Sequence, residues 1–213
     1  MMNITILITS KEHPVNTYVN KWVETNKSHQ ISIVHSQEDL ASGDILFLIS
    51  CSDIVSKLER DKFKKTLTIH ASDLPDGKGW SPHIWEIING ATDITLSILE
   101  AESKIDTGDI WKKISVPIPK TALFDEINDL IFNSELELMN FAIENYNTVE
   151  PKKQLNIDGE YWPKRSPKDS VIDINQTISE QFDLIRVCDP KRFPAFFYKD
   201  GVKFNITIEK NNE

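Results

Sequence analysis

The sequence lacks the features of a membrane protein or a secreted protein. Among its 213 residues there is no apolar run of about 18 residues, the length that a membrane-spanning helix needs. The first residues, MMNITILITS, have neither the basic start nor the small-residue cleavage site of a secretory signal. Two cysteines, Cys51 and Cys188, are too few for a disulfide framework, so we expect a protein of the reducing cytoplasm.

The chain also lacks a surplus of basic residues. It has 24 Lys and Arg against 33 Asp and Glu, a formal net charge of −9. A broad nucleic-acid surface needs excess cations to neutralise phosphates, so nucleic acid is not an expected partner. Residues 1–150 carry 13 basic and 23 acidic residues, whereas residues 151–213 carry 11 and 10. We therefore predict a main domain over 1–150 and a C-terminal extension over 151–213.

Glycine is scarce and unevenly placed. Only seven glycines occur, and four of them fall between Gly77 and Gly108. Glycine is needed where the backbone takes unusual angles or where a ligand comes close, so this stretch is the first candidate for a site. The fingerprints GxGxxG and GxxxxGK[ST] are missing, which argues against a Rossmann-type NAD enzyme and a P-loop NTPase.

The hydrophobic pattern predicts an α/β fold. Apolar, β-branched runs indicate strands at residues 3–9, 31–34, 44–50, 67–71, 94–99 and 110–116. Apolar residues at helical spacing predict helices after residue 14, over 121–146 and over 179–187. Two further helices are predicted to begin after the N-cap residues Asp53 and Ser81. This alternation predicts a Rossmann-like, mostly parallel sheet with helices on both faces. Asp200-Gly201 between two apolar runs predicts that the extension ends in a β-hairpin.

Three side chains are candidates for chemistry. Thr68 and His70 are two residues apart on a predicted strand, so both point to the same face at its C-terminal end, where ligands bind in open α/β sheets. Asp106 begins the turn Asp106-Thr107-Gly108-Asp109 beyond the next strand. A plain turn and a core histidine are the structural alternatives, but a histidine and a carboxylate in one cleft can perform acid–base catalysis.

The stretch IHASDLPDGKGWSPHIWEIINGATDITLSILEAESKIDTGDI, from Ile69 to Ile110, resembles the signature of the folate-dependent formyltransferases. This family includes methionyl-tRNA formyltransferase, glycinamide ribonucleotide formyltransferase and the N-formyltransferases of nucleotide-linked amino sugars. The residues that match in order and spacing are His70, Ser72, Leu74, Pro75, Gly79, Pro82, Trp85, Asn89, Gly90, Asp106 and Gly108.

The resemblance implies a catalytic trio of Asn, His and Asp. His70 and Asp106 fill two of these places, and Thr68 stands where the family has Asn. The implied reaction is attack by an amine on the formyl carbon of 10-formyltetrahydrofolate. His70 would stabilise the negative charge on oxygen, while Asp106 would orient His70 and take the amine proton. For Thr68 three outcomes stay open: His70 does most of the work, a water fills the gap, or catalysis is weak.

The resemblance also implies a folate site made of two loops. By position these contain Ser50, Cys51, Ser52 and Ile54 on the one side, and Glu102, Ser103 and Asp106 on the other. Cys51 is expected to pack rather than to act as a nucleophile, because nothing in the sequence depresses its pKa. No metal site is expected.

The extension points to the acceptor. The segment Tyr161 to Asp169 and the pattern from Leu184 to Phe196 are similar to the tRNA and amino-sugar branches. The loop Gly79-Trp80-Ser81-Pro82-His83 resembles a subgroup tied to 4-amino-4,6-dideoxy sugars of pseudaminic-acid-type pathways. The predicted substrate-binding residues are Lys11, Trp80, Lys164, Arg165 and Arg186.

The expected activity is therefore transfer of a formyl group to a nucleotide-linked amino sugar, with a UDP-4-amino-4,6-dideoxyhexose as the expected form, for surface glycan biosynthesis. The alternatives are another amine, such as methionyl-tRNA, glycinamide ribonucleotide or a carrier-bound aminoacyl group, and a catalytically dead folate- or nucleotide-binding module. A homodimer, paired through the hairpin of the extension, is compatible with the resemblance.

Overall fold

The computed structural model describes residues 1–155 and 159–211. Its strands are β1 (Asn3–Leu7), β2 (Gln30–Val34), β3 (Gly43–Leu48), β4 (Phe63–His70), β5 (Lys78–Gly79), β6 (Asp93–Glu100), β7 (Ile110–Pro117), β8 (Tyr161–Trp162), β9 (Ala195–Lys199) and β10 (Val202–Ile206). Its helices are α1 (Val15–Thr25), α2 (Lys57–Arg60), α3 (Pro82–Ile88), α4 (Phe124–Glu144) and α5 (Ile178–Arg186). None of the helices in the described part of the chain has the length and apolarity needed to cross a bilayer.

A six-stranded sheet in the order β2-β1-β3-β4-β6-β7 forms the centre of the molecule. The pairs β1–β2, β1–β3 and β3–β4 are parallel, and β4–β6 and β6–β7 are antiparallel. The predicted fold class is confirmed: an α/β, Rossmann-like sheet followed by a small extension that ends in a hairpin. Because β6 runs against β4, its last residue, Glu100, lies beside Leu67 rather than beside His70. The loop after β6 must therefore turn back to reach the end of β4.

The two faces of the sheet are covered differently. Alternate residues of β1 and β3, such as Ile6 and Phe47, pack against α1 and α4 in the main core. The opposite face, with Leu7 and Leu46, is covered by Val55 and other residues from mostly irregular chain. The helix predicted directly after Asp53 begins only at Lys57, because Ser56 caps it by accepting the Glu59 N–H at 3.3 Å.

The extension packs onto the main domain through β8 and α5 and ends in a hairpin of its own. Strand β8 pairs in parallel with β5, α5 lies near α3, and β9 pairs with β10 across the Asp200-Gly201 turn, both of whose residues have positive φ. The predicted hairpin is thus confirmed. Ser81 was predicted to cap α3, which is wrong: its φ is +47° and its side chain makes no capping hydrogen bond.

Arg186 holds α5 to the main domain. The side chain is buried, its Nε donates to Asp183 Oδ1 at 2.6 Å, and its Nη1 donates to the carbonyls of Pro119 and Ala122 at 3.2 and 3.1 Å. These partners occupy the guanidinium inside the protein. The prediction that Arg186 binds substrate phosphate is therefore not supported, and the residue has a structural role.

Replacing Arg186 with Ala should lower the free energy of unfolding by about 2–4 kcal/mol, because two buried carbonyls lose their donor. Urea denaturation measures the change. Lys168→Ala, an exposed substitution in the same extension, is the control and should cost less than about 0.5 kcal/mol. Equal stability of the two variants would contradict the structural role of Arg186.

Candidate active site

His70 ends β4 and makes two polar contacts. Its Nε2 donates to the carbonyl of Gly77 at 2.9 Å, since a carbonyl can only accept. Its Nδ1 lies 3.5 Å from Asp106 Oδ1. The two side chains are only 11% and 8% exposed. The structure therefore brings together the two residues that the sequence singled out for acid–base chemistry.

Two hydrogen bonds and its backbone conformation fix the position of Asp106. Its Oδ2 accepts the backbone N–H of Gly79 at 3.1 Å, and its own carbonyl accepts from the Gln154 side chain at 3.1 Å. Its φ of +56° lets the loop after β6 turn back toward β4. At Gly108 the same loop passes so close to β6 that a Cβ would lie 1.7 Å from the Glu100 carbonyl oxygen, so only glycine fits there.

Thr68 lies in the same cavity as His70, but its hydroxyl is already used. Its Oγ1 donates to the carbonyl of Leu48, on the neighbouring strand, at 3.3 Å. The side chain of Thr68 is shorter than the Asn that the resemblance leads one to expect here. Its hydroxyl proton points at the Leu48 carbonyl and not into the cavity.

The pair lies in a cavity of about 530 Å³, a volume typical of small-molecule sites. The predicted folate residues Ser50, Cys51, Ser52, Ile54, Glu102 and Asp106 all line it. Ser103 does not, and instead accepts a hydrogen bond from Arg60 at 3.1 Å. Burial raises the pKa of the Cys51 thiol, which keeps it protonated and fits a packing role.

Arg60, which the sequence did not single out, connects the two loops of the predicted folate site. The side chain is buried, and its Nη1 donates to the carbonyls of Val55 at 2.8 Å and Glu102 at 3.3 Å. Together with the Ser103 contact, these bonds join the loop after β3 to the loop after β6. Two of the three acceptors are backbone carbonyls, so no motif in the sequence could have pointed to this arginine.

The loop that carries Gly77 and Gly79 is held by the extension. The Trp80 N–H donates to the Trp162 carbonyl at 3.0 Å, and a Cβ on Gly79 would lie 2.3 Å from that same oxygen. Trp162 in turn stacks on Trp85 with ring centroids 5.9 Å apart. The extension thereby fixes the position of the carbonyl that His70 contacts.

The five predicted substrate residues have different surroundings. Trp80 lines the cavity, and Lys164 lies outside it with Nζ 4.5 Å from the centroid of the Trp80 ring. Lys11 is exposed and is not part of the cavity wall. Arg165 faces the extension, where its Nη2 donates to the Asp169 carbonyl at 2.9 Å and to Ser170 Oγ at 3.2 Å. Of the five residues only Trp80 lines the cavity, and substrate binding by Trp80, Lys164 and Lys11 stays a prediction. The side chains of Arg165 and Arg186 are engaged inside the protein, which argues against their binding substrate.

A second group of polar side chains lines the cavity: His13, His83, Glu135 and Arg192. Burial lowers the pKa of His83 to about 4, and burial together with the charge of Arg192 lowers that of His13 to about 4. Burial raises the pKa of Glu135 to about 8. His83 Nδ1 and Glu135 Oε2 are enclosed and have no hydrogen-bond partner among the residues that the structure describes. The site therefore offers uncharged polar groups at neutral pH.

Only some of these four cavity residues could be recognised in the sequence. His13 was visible as a loop residue after the first strand, and His83 as part of the glycine loop. Glu135 lies within the apolar stripe of α4, where a carboxylate is itself a signal. Nothing in the sequence distinguishes Arg192 from the other arginine and lysine residues.

Replacing Glu135 with Gln should remove a pH dependence of stability. The folded protein holds a proton on Glu135 up to about pH 8, whereas the unfolded chain releases it near 4.5, so the free energy of unfolding falls as pH rises between these values. The free energy of unfolding of wild type minus that of the variant should therefore change by a few kcal/mol from pH 5 to 8, since one pKa unit corresponds to about 1.36 kcal/mol.

Urea denaturation across this pH range measures the effect. His13 and His83 titrate in both proteins, so they cancel in the difference. Glu137→Gln, on the exposed side of the same helix, is the control and should leave the pH profile unchanged. A difference that stays constant from pH 5 to 8 would show that Glu135 titrates normally.

Among curated proteins, the chain is similar to methionyl-tRNA formyltransferase of Clostridium acetobutylicum, with 26% identity over 195 residues. That alignment covers 90% of this chain and 63% of the relative. An alignment with the Finegoldia magna enzyme of the same name, at 28% identity, covers 55% of this chain and 39% of that protein. The chain thus spans about two fifths to three fifths of these relatives.

Solved structures show the same fold. Methionyl-tRNA formyltransferase from Clostridium thermocellum superposes with a TM-score of 0.82 at 23% identity, covering 100% of this chain and 96% of the other. A 4-N formyltransferase from Francisella tularensis gives 0.74 at 18% identity, covering 100% and 99%. HypX from Aquifex aeolicus in complex with tetrahydrofolic acid gives 0.78 at 21% identity, covering 95% and 36%.

The sequence model of the formyl transferase family matches residues 6–143. This range contains all of the sheet except the first three residues of β1, together with the His70–Asp106 pair and the loops joined by Arg60. Since the match extends over well more than half of the sequence, the chain belongs to the formyl transferase family.

Proposed function

We propose that this protein transfers the formyl group of 10-formyltetrahydrofolate to the amine of a nucleotide-linked amino sugar. The observation that carries the proposal is the buried His70–Asp106 pair, with Nδ1 and Oδ1 3.5 Å apart in the wall of a cavity. Formyl transfer to an amine needs one group that stabilises charge on the carbonyl oxygen and one that accepts a proton from nitrogen. A histidine and a carboxylate side by side supply both.

His70 supplies the proton donor in this scheme. Its Nε2–H is held by the Gly77 carbonyl, so the ring has a fixed orientation before substrate arrives. When the formyl oxygen gains negative charge, the Nε2–H of His70 exchanges the Gly77 carbonyl for this oxygen and stabilises it by donating a hydrogen bond or a proton. Asp106 orients the ring and accepts the amine proton, directly or through a water. As the new C–N bond forms, the bond between the formyl carbon and the folate nitrogen would break, and that nitrogen would receive the proton. The Gly79 N–H on Oδ2 leaves Oδ1 to face the histidine and the reacting nitrogen.

The cavity suits a folate as the formyl donor. Two loops line it with small polar residues and backbone, and Arg60 holds them at a fixed separation. A related fold, that of HypX, has been solved with tetrahydrofolic acid. The bound folate would supply the activated formyl group. The chain's own part is to bind it between these loops and keep His70 and Asp106 at the reacting carbon.

Three observations favour an amino sugar as the acceptor. The net charge of −9 suits a small anionic substrate better than a tRNA. Trp80 presents an aromatic wall to the cavity, with Lys164 on its ring. The 4-N formyltransferase of Francisella tularensis shares the fold over the full length of both chains. The names of the curated relatives favour methionyl-tRNA instead, and the assay must therefore contain both acceptors.

Incubation with 10-formyltetrahydrofolate and a panel of UDP- and dTDP-linked 4-amino sugars should add about 28 Da, one CO unit, to at least one sugar. Mass spectrometry of the sugar nucleotides detects the product. Methionyl-tRNA and glycinamide ribonucleotide are parallel arms. Product on methionyl-tRNA alone would overturn the choice of acceptor, and product on none of them would overturn the proposed activity.

Asp106→Asn should lower kcat by about 10²–10⁴-fold, because the amide cannot take a proton from the acceptor. The substitution keeps an oxygen for the Gly79 N–H, so the fold should persist, as circular dichroism can verify. Asp109→Asn removes a carboxylate from the same turn and is the matched control. His70→Ala should have an effect comparable to that of Asp106→Asn. A kcat for either variant close to that of the control would refute its role.

Thr68→Val should lower kcat by no more than about threefold, since the Thr68 hydroxyl donates to Leu48 rather than into the cavity. Loss of a true oxyanion donor would cost about 10²–10³-fold. Steady-state kinetics with Thr68→Ser as the control, which keeps the hydroxyl, separates these cases. A loss of 10²-fold confined to the valine variant would give Thr68 the role that the family assigns to Asn.

A further inference from the structure

We propose that Arg192 binds the phosphates of a nucleoside diphosphate, the part of the acceptor that carries the sugar. This inference rests on the proposed function and names a residue of its acceptor site. Arg192 belongs to the extension, between α5 and β9, and its side chain lines the cavity. It is 36% exposed, which leaves it open to a ligand.

Asp189 holds the guanidinium at one edge. The Arg192 Nε donates to Asp189 Oδ2, while Asp189 Oδ1 accepts the backbone N–H groups of Lys191 and Arg192 at 2.9 and 3.0 Å. The carboxylate is 9% exposed, so this anchor is rigid. Within residues 1–155 and 159–211, no acceptor binds the two terminal NH₂ groups of Arg192. A planar pair of donors with one edge fixed and the other free is suited to bidentate binding of phosphate.

The other cations near the cavity are committed elsewhere. Arg60 donates to two carbonyls and a hydroxyl between the folate loops. Arg165 and Arg186 bind groups inside the extension and the domain. Lys164 lies on Trp80, outside the wall. Among the described residues, Arg192 is therefore the arginine of the cavity wall whose terminal donors remain available.

Two titratable side chains that line the cavity together with Arg192, His13 and Glu135, are uncharged at neutral pH. The lowered pKa of His13 shows that the guanidinium is close enough for its charge to reach that ring. Glu135, on the same cavity wall, is protonated at neutral pH because burial raises its pKa to about 8. The other carboxyl groups of the wall besides Glu135 are Asp53, Glu100, Glu102 and Asp106, which belong to β6 and to the loops after β3 and β6.

Isothermal titration with UDP, dTDP and uridine tests the proposal without any need for turnover. Wild type should bind the diphosphates, and Arg192→Ala should raise their Kd by about tenfold or more, while binding of uridine should not change. Arg192→Lys, which keeps the charge but loses the fork, should lie between the two. Lys191→Ala is the matched control, since it removes one exposed positive charge from the adjacent position.

The folate is a second source of negative charge, through its glutamate carboxylates. 5-Formyltetrahydrofolate, a stable analogue, is therefore titrated against the same variants. A loss confined to this folate would assign Arg192 to the donor, and equal Kd values for UDP in Arg192→Ala and Lys191→Ala would overturn the proposal. Failure of wild type to bind UDP, dTDP or pyrophosphate at millimolar concentration would overturn it too. UDP binding that depends on Arg192, without formylation of any sugar, would refute the proposed activity alone.

Discussion

The contacts of one carboxylate organise the site. Asp106 faces His70 with one oxygen and accepts the Gly79 N–H with the other. It thereby joins three segments that are far apart in the sequence: the end of β4, the glycine loop and the loop after β6. Desolvation at 8% exposure strengthens these interactions, since fewer water molecules compete for the oxygens. The chemistry depends on the positions of all three segments, and this carboxylate sets them relative to one another.

The extension is part of the same arrangement, although its composition suggests a separate unit. Gln154 donates to the carbonyls of Asp106 and Gly108, at 3.1 and 2.8 Å, and Trp162 accepts the N–H of Trp80. The boundary predicted at residue 150 thus separates two charge compositions but not two independent sites. The close approach at Gly79 explains why the scarce glycines fall here: a side chain would displace β8, and with it the loop whose carbonyl orients His70.

The sequence allowed the sheet, the hairpin and the His70–Asp106 pair to be predicted, because strand periodicity, an Asp-Gly turn and a dense motif are local signals. Asp106 follows a strand, which predicted its place at the sheet edge, yet β6 runs antiparallel and ends beside Leu67. The two residues meet because the loop folds back, with Asp106 at positive φ and Gly108 against Glu100. Arg186 shows what the sequence could not reveal. A buried arginine bound to carbonyls and a phosphate-binding arginine look alike in a sequence, since burial is decided by tertiary packing.

The charge states of three cavity side chains bear on the nucleophile of the proposed reaction. An amine attacks only as the free base, and a site rich in ionised carboxylates would instead favour the ammonium ion. Burial keeps Glu135 protonated and both His13 and His83 neutral at pH 7. In the proposed function Arg192, which lines the same cavity, adds positive charge that would attract an anionic acceptor and oppose protonation of its amine. Among the described carboxylates that line the cavity, Asp106 is the one paired with a histidine, with Oδ1 3.5 Å from His70 Nδ1. Position, rather than the burial of other groups, thus assigns the proton transfer of the proposed reaction to this pair.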